Sequence, residues 1–156
     1  MKTILLATDG SPSAQKATDV AIELTGALDA MLRIVSVWRV PVYDYGYIPI
    51  QYGPELVEAQ QQGAQHAVEH AVKKAKAAGV KATSEIREGD AADETCAAAE
   101  ETAADMIVIG AHGWGAMKRI LFGSVSTAVL HHASCPVLVV RGEAEAVERE
   151  AAGVGG

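Results

Sequence analysis

DMIVIGAHG, residues 105–113, passes from an apolar segment directly into a glycine-rich turn, and GSVS, residues 123–126, follows after nine intervening residues. The segment Asp105–Ile109 predicts a strand that is buried on both faces of a parallel sheet. The glycines let the backbone come close to a ligand. GSVS predicts a helix start, where unpaired N–H groups and the helix dipole attract an anion. The pattern therefore indicates a strand–loop–helix unit with an anion site at the helix N-terminus.

The remainder of the chain alternates apolar runs with segments of helical periodicity. Strands are predicted over Lys2–Thr8, Met31–Trp38, Thr83–Arg87 and Pro136–Arg141 in addition to the one above. Helices are predicted from Pro12, from Pro54 to the glycine at 79, after an Asp90 cap, and from Gly123 to Ala133. This β-α-β-α-β-α-β-α-β order predicts a doubly wound α/β domain with a five-stranded parallel sheet and helices on both faces.

The first predicted helix has its small and apolar residues at helical spacing. We expect one buried stripe on this helix, made of Ala14, Ala17, Ala21, Leu24 and Leu28. We predict a long loop over Arg39–Gly53, a segment that contains all four tyrosines. Loops of this length in compact domains usually have a function or move.

Two strand orders are compatible with this alternation. A flavodoxin-like order places the first strand at the centre, whereas a Rossmann-like order places the fourth strand beside the first. In the second case the turn Thr8–Ser11 faces the loop that begins at Gly110, across a crevice at the carboxyl ends of the strands. Asp9 can accept hydrogen bonds from ribose hydroxyls or hold a cation. The crevice therefore favours a nucleotide, with hydroxyl donors from Ser124 and Ser126.

Composition excludes several classes of partner. The 156 residues have a formal net charge of −7 and no basic run, which argues against binding to nucleic acid or to an anionic membrane. The amino terminus does not resemble a signal peptide, and no apolar run approaches the ~20 residues that span a bilayer. We expect a cytoplasmic protein in which Cys96 and Cys135 are small buried thiols.

Familiar phosphate-binding motifs are missing from the sequence. It contains no GxxxxGK[ST], and no GxGxxG follows the first strand. These absences disfavour a P-loop NTPase and a nicotinamide-dependent enzyme.

The spacing Gly110-x2-Gly113-x9-Gly123-Ser124 matches the G-2x-G-9x-G-[ST] pattern of the universal stress protein family. The flanking segments ILLATDGS (4–11), DMIVIGAHG (105–113) and SCPVLVV (134–140) are also similar to that family, so the resemblance extends over residues 2–141. It implies a strand order of 3-2-1-4-5 and one domain over residues 1–141, and the acidic, then glycine-rich composition of residues 142–156 predicts a flexible tail. It also implies a homodimer in which the last strand, Pro136–Arg141, pairs with its copy.

The sequence resembles the ATP-binding branch of this family, with Mg²⁺ or Mn²⁺ as the ion that accompanies ATP. The resemblance implies that Asp9 contacts the ribose and that Val37 lies against adenine. It also implies that backbone around Gly113 and Gly123 holds the phosphates. The full set of residues implied to contact nucleotide is Ala7, Thr8, Asp9, Val37, Ile109, Gly110, His112, Gly113, Gly123, Ser124, Val125 and Ser126.

The function expected from these residues is a regulatory, stress-associated module that binds ATP and hydrolyses it slowly at most, because no positioned general base is apparent. An unidentified regulatory protein is its expected partner. The alternative is a nucleotide-dependent enzyme that activates a metabolite, with a second pocket under the tyrosine-rich segment. A third hypothesis concerns His66, Glu69 and His70, which match the H-x-x-E-H zinc motif. We disfavour it, since a helical wheel places both histidines away from the buried side.

Overall fold

The computed structural model describes residues 2–40, 44–45, 48–49, 53–114 and 122–142. In this part of the chain, four helices accompany seven strands. The helices are α1 (Pro12–Leu28), α2 (Pro54–Ala77), α3 (Ala91–Glu101) and α4 (Ser124–His132). The strands are β1 (Thr3–Ala7), β2 (Met31–Trp38), β3 (Asp44–Tyr45), β4 (Ile48–Pro49), β5 (Ala82–Glu88), β6 (Met106–Gly110) and β7 (Val137–Val140).

The main sheet is parallel and has the order β5-β2-β1-β6-β7. Counted among its own five strands this order is 3-2-1-4-5, so the predicted topology is confirmed. The order reverses between β1 and β6, where Leu6 pairs with Ile34 on one side and Val108 on the other. The turn after β1 and the loop after β6 are therefore neighbours, and the crevice expected of a doubly wound sheet lies between them.

Alternate residues of the central strands enter two separate cores. Ile4 and Leu6 of β1 pack against the α1 and α2 face, whereas Leu5 and Ala7 pack against the α3 and α4 face. All four have at most 8% of their surface exposed. Burial on both faces explains why the central strands consist of continuous apolar runs rather than alternating ones.

The buried stripe of α1 differs from the prediction at its C-terminal end. Ala14, Ala17 and Ala21 are buried and Leu24 is half-buried, but Leu28 is 42% exposed. The prediction for Leu28 is therefore wrong. The buried face instead includes Thr18 and Thr25, whose hydroxyls donate to the carbonyls of Ala14 and Ala21 at 2.8 and 2.6 Å. A threonine bonded to its own helix in this way has no unpaired hydroxyl and fits an apolar interior.

The predicted loop Arg39–Gly53 includes a short antiparallel pair, β3 with β4. Two-residue strands are too short to produce a periodic pattern, so the sequence did not indicate them. Two predicted features lie outside the described residues: the side chains of the four tyrosines, and residues 143–156 of the predicted tail.

The described helices include none with the length and apolar character needed to span a bilayer. Cys96 and Cys135 are free and half-buried, somewhat more accessible than predicted. Burial raises the pKa of both thiols, which favours the protonated and unreactive form.

Arg87 joins the edge strand β5 to helix α3. Its Nε donates to Glu94 Oε2 at 2.8 Å, and its two Nη atoms donate to Glu101 Oε2 and Oε1 at 2.8 and 3.0 Å. Only 17% of the Arg87 side chain is exposed. The bonds to Glu101 and the guanidinium charge lower the pKa of Glu101, and the bonds to Glu101 and Glu94 together with the carboxylate charges raise the pKa of Arg87. A bidentate pair of this kind fixes geometry as well as contributing energy.

Replacing Arg87 with alanine should lower Tm by a few degrees at neutral pH. The pKa of Glu101 is lower in the folded state than in the unfolded chain. The stabilisation is therefore complete above the ordinary pKa of a glutamate and is lost as pH falls through the lowered value. Thermal unfolding followed by circular dichroism should find that the wild-type–variant difference shrinks between pH 7 and pH 3. Arg33→Ala, which removes a bond to the Thr83 hydroxyl instead, is the control; a pH-independent effect of Arg87→Ala would contradict this account.

Candidate functional site

The turn between β1 and α1 is built around Asp9. Its Oδ1 accepts the N–H of Ser11 at 2.9 Å, and Thr8 Oγ1 accepts the N–H of Gly10 at 3.2 Å. Gly10 has a φ of +76°, which glycine adopts without strain. Ser11 caps α1 by accepting the N–H of Ala14 through its hydroxyl. These local bonds hold the exposed Asp9 carboxylate at the carboxyl end of β1.

Side chains from this turn hold the loop after β6. Ser11 Oγ donates to the carbonyl of His112 at 3.3 Å, and Ser13 Oγ accepts the N–H of His112 at 3.3 Å. Ser13 Oγ also donates to the Val140 carbonyl at 3.2 Å. The indole N–H of Trp114 donates to the backbone carbonyl of Asp9 at 2.8 Å. The two loops therefore form one connected unit rather than two independent segments.

Two of the motif glycines lie in close contacts, Gly110 against backbone and Gly113 against a side chain. A Cβ added to Gly110 would lie 2.8 Å from backbone atoms of Ser13 and Ala14. A Cβ added to Gly113 would lie 2.9 Å from Asp9 Oδ2. The first glycine lets β6 pass against the start of α1, and the second places peptide backbone directly beside the Asp9 carboxylate.

Helix α4 begins at the other motif glycine. Gly123 is its N-cap residue, and its own N–H donates to the Ala111 carbonyl at 2.7 Å. The N–H groups of Ser124, Val125 and Ser126 belong to the first helical turn and have no partner within the helix. Together with the helix dipole they form a site for an anion, as the sequence predicted. Ser124 and Val125 are exposed at this end.

A cleft of about 810 Å³ lies between the two loops, on the α3 and α4 face of the sheet. This volume is within the range typical of small-molecule sites. Residues of β1, β2 and β6 form its apolar floor, Thr95 of α3 contributes to one wall, and the N-terminus of α4 forms another. The structure brings every sequence-predicted contact residue to this one cleft: Ala7, Thr8, Asp9, Val37, Ile109, Gly110, His112, Gly113, Gly123, Ser124, Val125 and Ser126.

Ser126 differs in detail from the prediction. Its side chain is buried, and its hydroxyl donates to the carbonyls of Ala111 and Gly123, each at 3.0 Å. The hydroxyl thus fixes the loop to the helix, which leaves the backbone N–H of Ser126 as the group directed to a ligand. His112 is half-buried, and its backbone is held by Ser11 and Ser13.

Sequence reasoning missed several residues of the site, among them Ser13 and Arg39. Ser13 and Arg39 were not predicted to take part, yet Ser13 holds the loop and Arg39 lines the cleft beside Val37. Arg39 Nη1 lies 3.8 Å from Asp90 Oδ2, the cap of α3. Arg39 directly follows the predicted strand Met31–Trp38, and this position of a charged residue at a strand end could have indicated its role. Ser13 had no such signal, because its partners are distant in sequence.

The H-x-x-E-H histidines lie elsewhere, on the exposed surface of α2. His66, Glu69 and His70 are all exposed. The described residues contain no group of three side chains from histidine, cysteine, aspartate or glutamate that could hold a metal ion. A third zinc ligand is therefore not found in the part of the chain that the structure describes.

In sequence, the chain is similar to known proteins of a single family. Residues 1–141 match the family model described as the universal stress protein family. A curated universal stress protein from Methanocaldococcus jannaschii is 36% identical over 141 residues, which are 90% of this chain and 82% of that protein. One from Bacillus subtilis is 33% identical over 144 residues, which are 88% of this chain and 97% of that protein.

The chain is also similar to solved structures of proteins from the same family. A universal stress protein from Burkholderia pseudomallei aligns with a TM-score of 0.70 and 32% identity, covering 89% of this chain and 95% of that chain. A universal stress protein solved in complex with cAMP aligns with a TM-score of 0.67 and 27% identity, covering 89% and 96% of the two chains. The second protein is thus a structural relative that holds an adenine nucleotide.

Proposed function

This chain belongs to the universal stress protein family, and from that membership and the geometry of the cleft we propose that it is a regulatory module that binds an adenine nucleotide, ATP in particular. The observation that most directly supports the proposal is the convergence of two separated backbone segments, Gly110–Gly113 and Gly123–Ser126, on one cleft beside Asp9. The related structure with bound cAMP supports the nucleotide class.

The order of the strands supports one orientation of the nucleotide. Neighbouring strands are about 4.8 Å apart, so β2 and β6, which flank β1, end about 10 Å from each other. The phosphates bind at the α4 N-terminus and at Gly113. The base then lies at the β2 end, against Val37, and the ribose lies between them at Asp9. The space of about 810 Å³ accommodates all three parts.

The chemistry of the cleft favours binding over turnover. Hydrolysis requires an oriented water and a base to receive its proton. Among the described residues, Asp9 is the only carboxylate that lines the cleft, and in this proposal it binds the ribose. A Mg²⁺ or Mn²⁺ ion would then be held mainly by the phosphates of ATP. Slow hydrolysis at most is the expected result, and the bound nucleotide acts by stabilising the folded state and its contacts with a partner protein.

Asp9 has two roles in this proposal, since it binds the ribose and accepts the Ser11 N–H. Two substitutions of Asp9 separate these roles and test the proposal. Asp9→Ala should weaken ATP and adenosine binding by about tenfold or more, since it removes hydrogen bonds to the ribose and also the bond from Ser11. Asp9→Asn keeps an acceptor for the Ser11 N–H and should retain the turn with an intermediate affinity. Isothermal titration calorimetry of both variants with ATP, ADP, AMP, cAMP and adenosine measures the losses. Unchanged affinity in Asp9→Ala would remove this residue from the site.

We further propose a homodimer through the edge strand β7. Its four residues are half-buried, and β7 is the end strand of the sheet. The carbonyls of Pro136 and Val140 accept N–H groups from the β6 side. In a parallel ladder, alternate residues of a strand bond to the same neighbouring strand. The N–H and carbonyl of Val139, which precedes Val140, therefore point to the open edge. Such an edge pairs readily with another strand.

Val139→Pro removes one edge N–H and leaves the bonds to β6 in place, because proline is tolerated in edge strands. Sedimentation velocity should find the wild type as a dimer and this variant mainly as a monomer with an unchanged far-ultraviolet circular dichroism spectrum. A dimeric variant would place the interface elsewhere.

A further inference from the structure

A second concave surface, the α1–α2 groove, lies on the opposite face of the sheet from the nucleotide cleft. Its volume is about 440 Å³. Its walls are Gln15 and Thr18 of α1 and Gly63, His66, His70 and Lys74 of α2. The two histidines of the H-x-x-E-H motif are therefore beside a pocket large enough for a small organic molecule, rather than on a flat solvated surface.

Basic residue types predominate among the ionisable side chains of the groove, although the protein as a whole is acidic. The chain has 20 acidic residues against 13 lysines and arginines. The ionisable side chains that line the groove are nevertheless mostly of the basic type: Arg39, His66, His70 and Lys74, against Asp9 alone. Lys74 pairs with Asp19 of α1, and Arg39 lies 3.8 Å from Asp90, which leaves the imidazoles as the main available donors to a bound group. Groups of this kind favour an anion.

The floor of the groove is apolar. Ala64, Ala67 and Ala71 line it with their methyl groups, and Trp38, 8% exposed, lies at the β2 end. Gly10 borders this floor, since a Cβ added to it would lie in ordinary van der Waals contact with Ala67 Cβ, at 3.6 Å. A ligand that matches both parts of the lining has a small apolar body and one anionic group.

The groove shares a wall with the nucleotide cleft. Asp9, Arg39 and Trp114 line both spaces, as do Thr8, Val37 and Gln60. Trp114, 69% exposed, is fixed to the Asp9 turn by its indole N–H. A molecule in the groove packs against the same turn that a nucleotide requires in place. The ligand that binds first fixes this shared wall, so the ligand that binds second loses less conformational entropy and should bind more tightly.

We propose that the α1–α2 groove is a second binding site, for a small organic anion with an apolar body, either a carboxylate or a phosphate monoester, and that its occupancy strengthens nucleotide binding. The site itself is independent of the proposed nucleotide function. Only the coupling between the two sites rests on that function.

The test for the site uses the imidazole signals of the five histidines in two-dimensional proton–carbon NMR spectra, assigned with single variants. The probes are benzoate and phenyl phosphate, with neutral benzyl alcohol for comparison. Saturating ATP is present throughout, so that the phosphate cradle is filled. Saturable shifts of the His66 and His70 signals, with those of His131 and His132 unmoved, are the expected result. The more strongly bound of the two anions identifies the anionic group.

Matched variants complete the test. His66→Ala/His70→Ala should weaken binding of the anionic probe by about tenfold or more, whereas His131→Ala/His132→Ala, an exposed pair on α4, should leave it unchanged. Both pairs are exposed, and circular dichroism verifies that each variant is folded. An absence of saturable shifts, equal shifts at all histidines, or equal binding of benzyl alcohol would overturn the proposed site.

The coupling is tested by titrating ATP with and without the saturating anionic probe. A several-fold gain in ATP affinity, matched by the same gain in probe affinity when ATP is present, is expected. ATP affinity that does not change would overturn the coupling. Probe binding in a protein that does not bind any nucleotide would uphold the groove and would show that the proposed nucleotide function has failed.

Discussion

Valine in place of Gly110 is expected to lower the free energy of unfolding by about 3 kcal/mol. A Cβ at this position would lie 2.8 Å from the nitrogen of Ala14 and from the carbonyl carbon of Ser13. Both are backbone atoms at the start of α1, so no side-chain rotation relieves the contact. Either β6 or α1 must move, which disturbs the packing on both sides of the central strand pair. Urea denaturation of the purified variant measures the loss.

Gly63→Ala is the matched control for that experiment. Gly63 is exposed within α2, and an added Cβ there would have no atom within 4 Å. The substitution should raise stability by about 0.5–1 kcal/mol, since alanine is a better helix former than glycine. If Gly110→Val were as stable as the wild type, the close contact between β6 and α1 would not exist as described.

Aspartate in place of Ser124 is expected to weaken ATP and AMP binding roughly 100-fold, about 2.7 kcal/mol, and to leave adenosine binding unchanged. The new carboxylate occupies the end of α4 where the phosphates bind, so two negative charges compete for the same N–H groups. An acidic residue in the first turn stabilises a helix by about 0.3–1 kcal/mol. The loss of binding therefore cannot result from unfolding. Calorimetric titration with the three ligands measures the effect.

Thr127→Asp adds the same charge to the same helix on a different face. Thr127 is exposed and does not line the cleft. Its variant should bind ATP within about twofold of the wild type, because solvent and salt screen an exposed charge. Equal losses in the two variants, or loss of adenosine binding in Ser124→Asp, would contradict contact between the phosphates and the α4 N-terminus.

Local patterns were sufficient to predict a doubly wound α/β domain, but they left two strand orders open, and the order 3-2-1-4-5 came from the family resemblance. The continuous apolar runs of β1 and β6 indicated strands buried on both faces, and the spacing of Gly110, Gly113 and Gly123 indicated a ligand cleft. All three glycines line that cleft in the structure. Each of these signals is contained within one short segment, which is why the sequence revealed it.

Contacts between distant segments could not be predicted in the same way. Ser13 bonds to His112 and Val140, which are 99 and 127 residues away, and Trp114 bonds to Asp9 across 105 residues. Nothing near a serine or a tryptophan in the sequence indicates such partners. The error at Leu28 has a different origin. The predicted stripe contained apolar residues alone, but bonds to their own helix make Thr18 and Thr25 suitable for the core.

Backbone amide chemical shifts test the central interaction most directly. Proton–nitrogen spectra of the ¹⁵N-labelled protein are recorded with saturating adenosine and with saturating AMP, which differ only in the phosphate. The largest differences between the two spectra are predicted at the amides of Gly113 and of Ser124, Val125 and Ser126, with those of α2 unchanged. Differences centred on any other part of the chain, or no binding of either ligand, would contradict contact between the phosphates and these backbone amides.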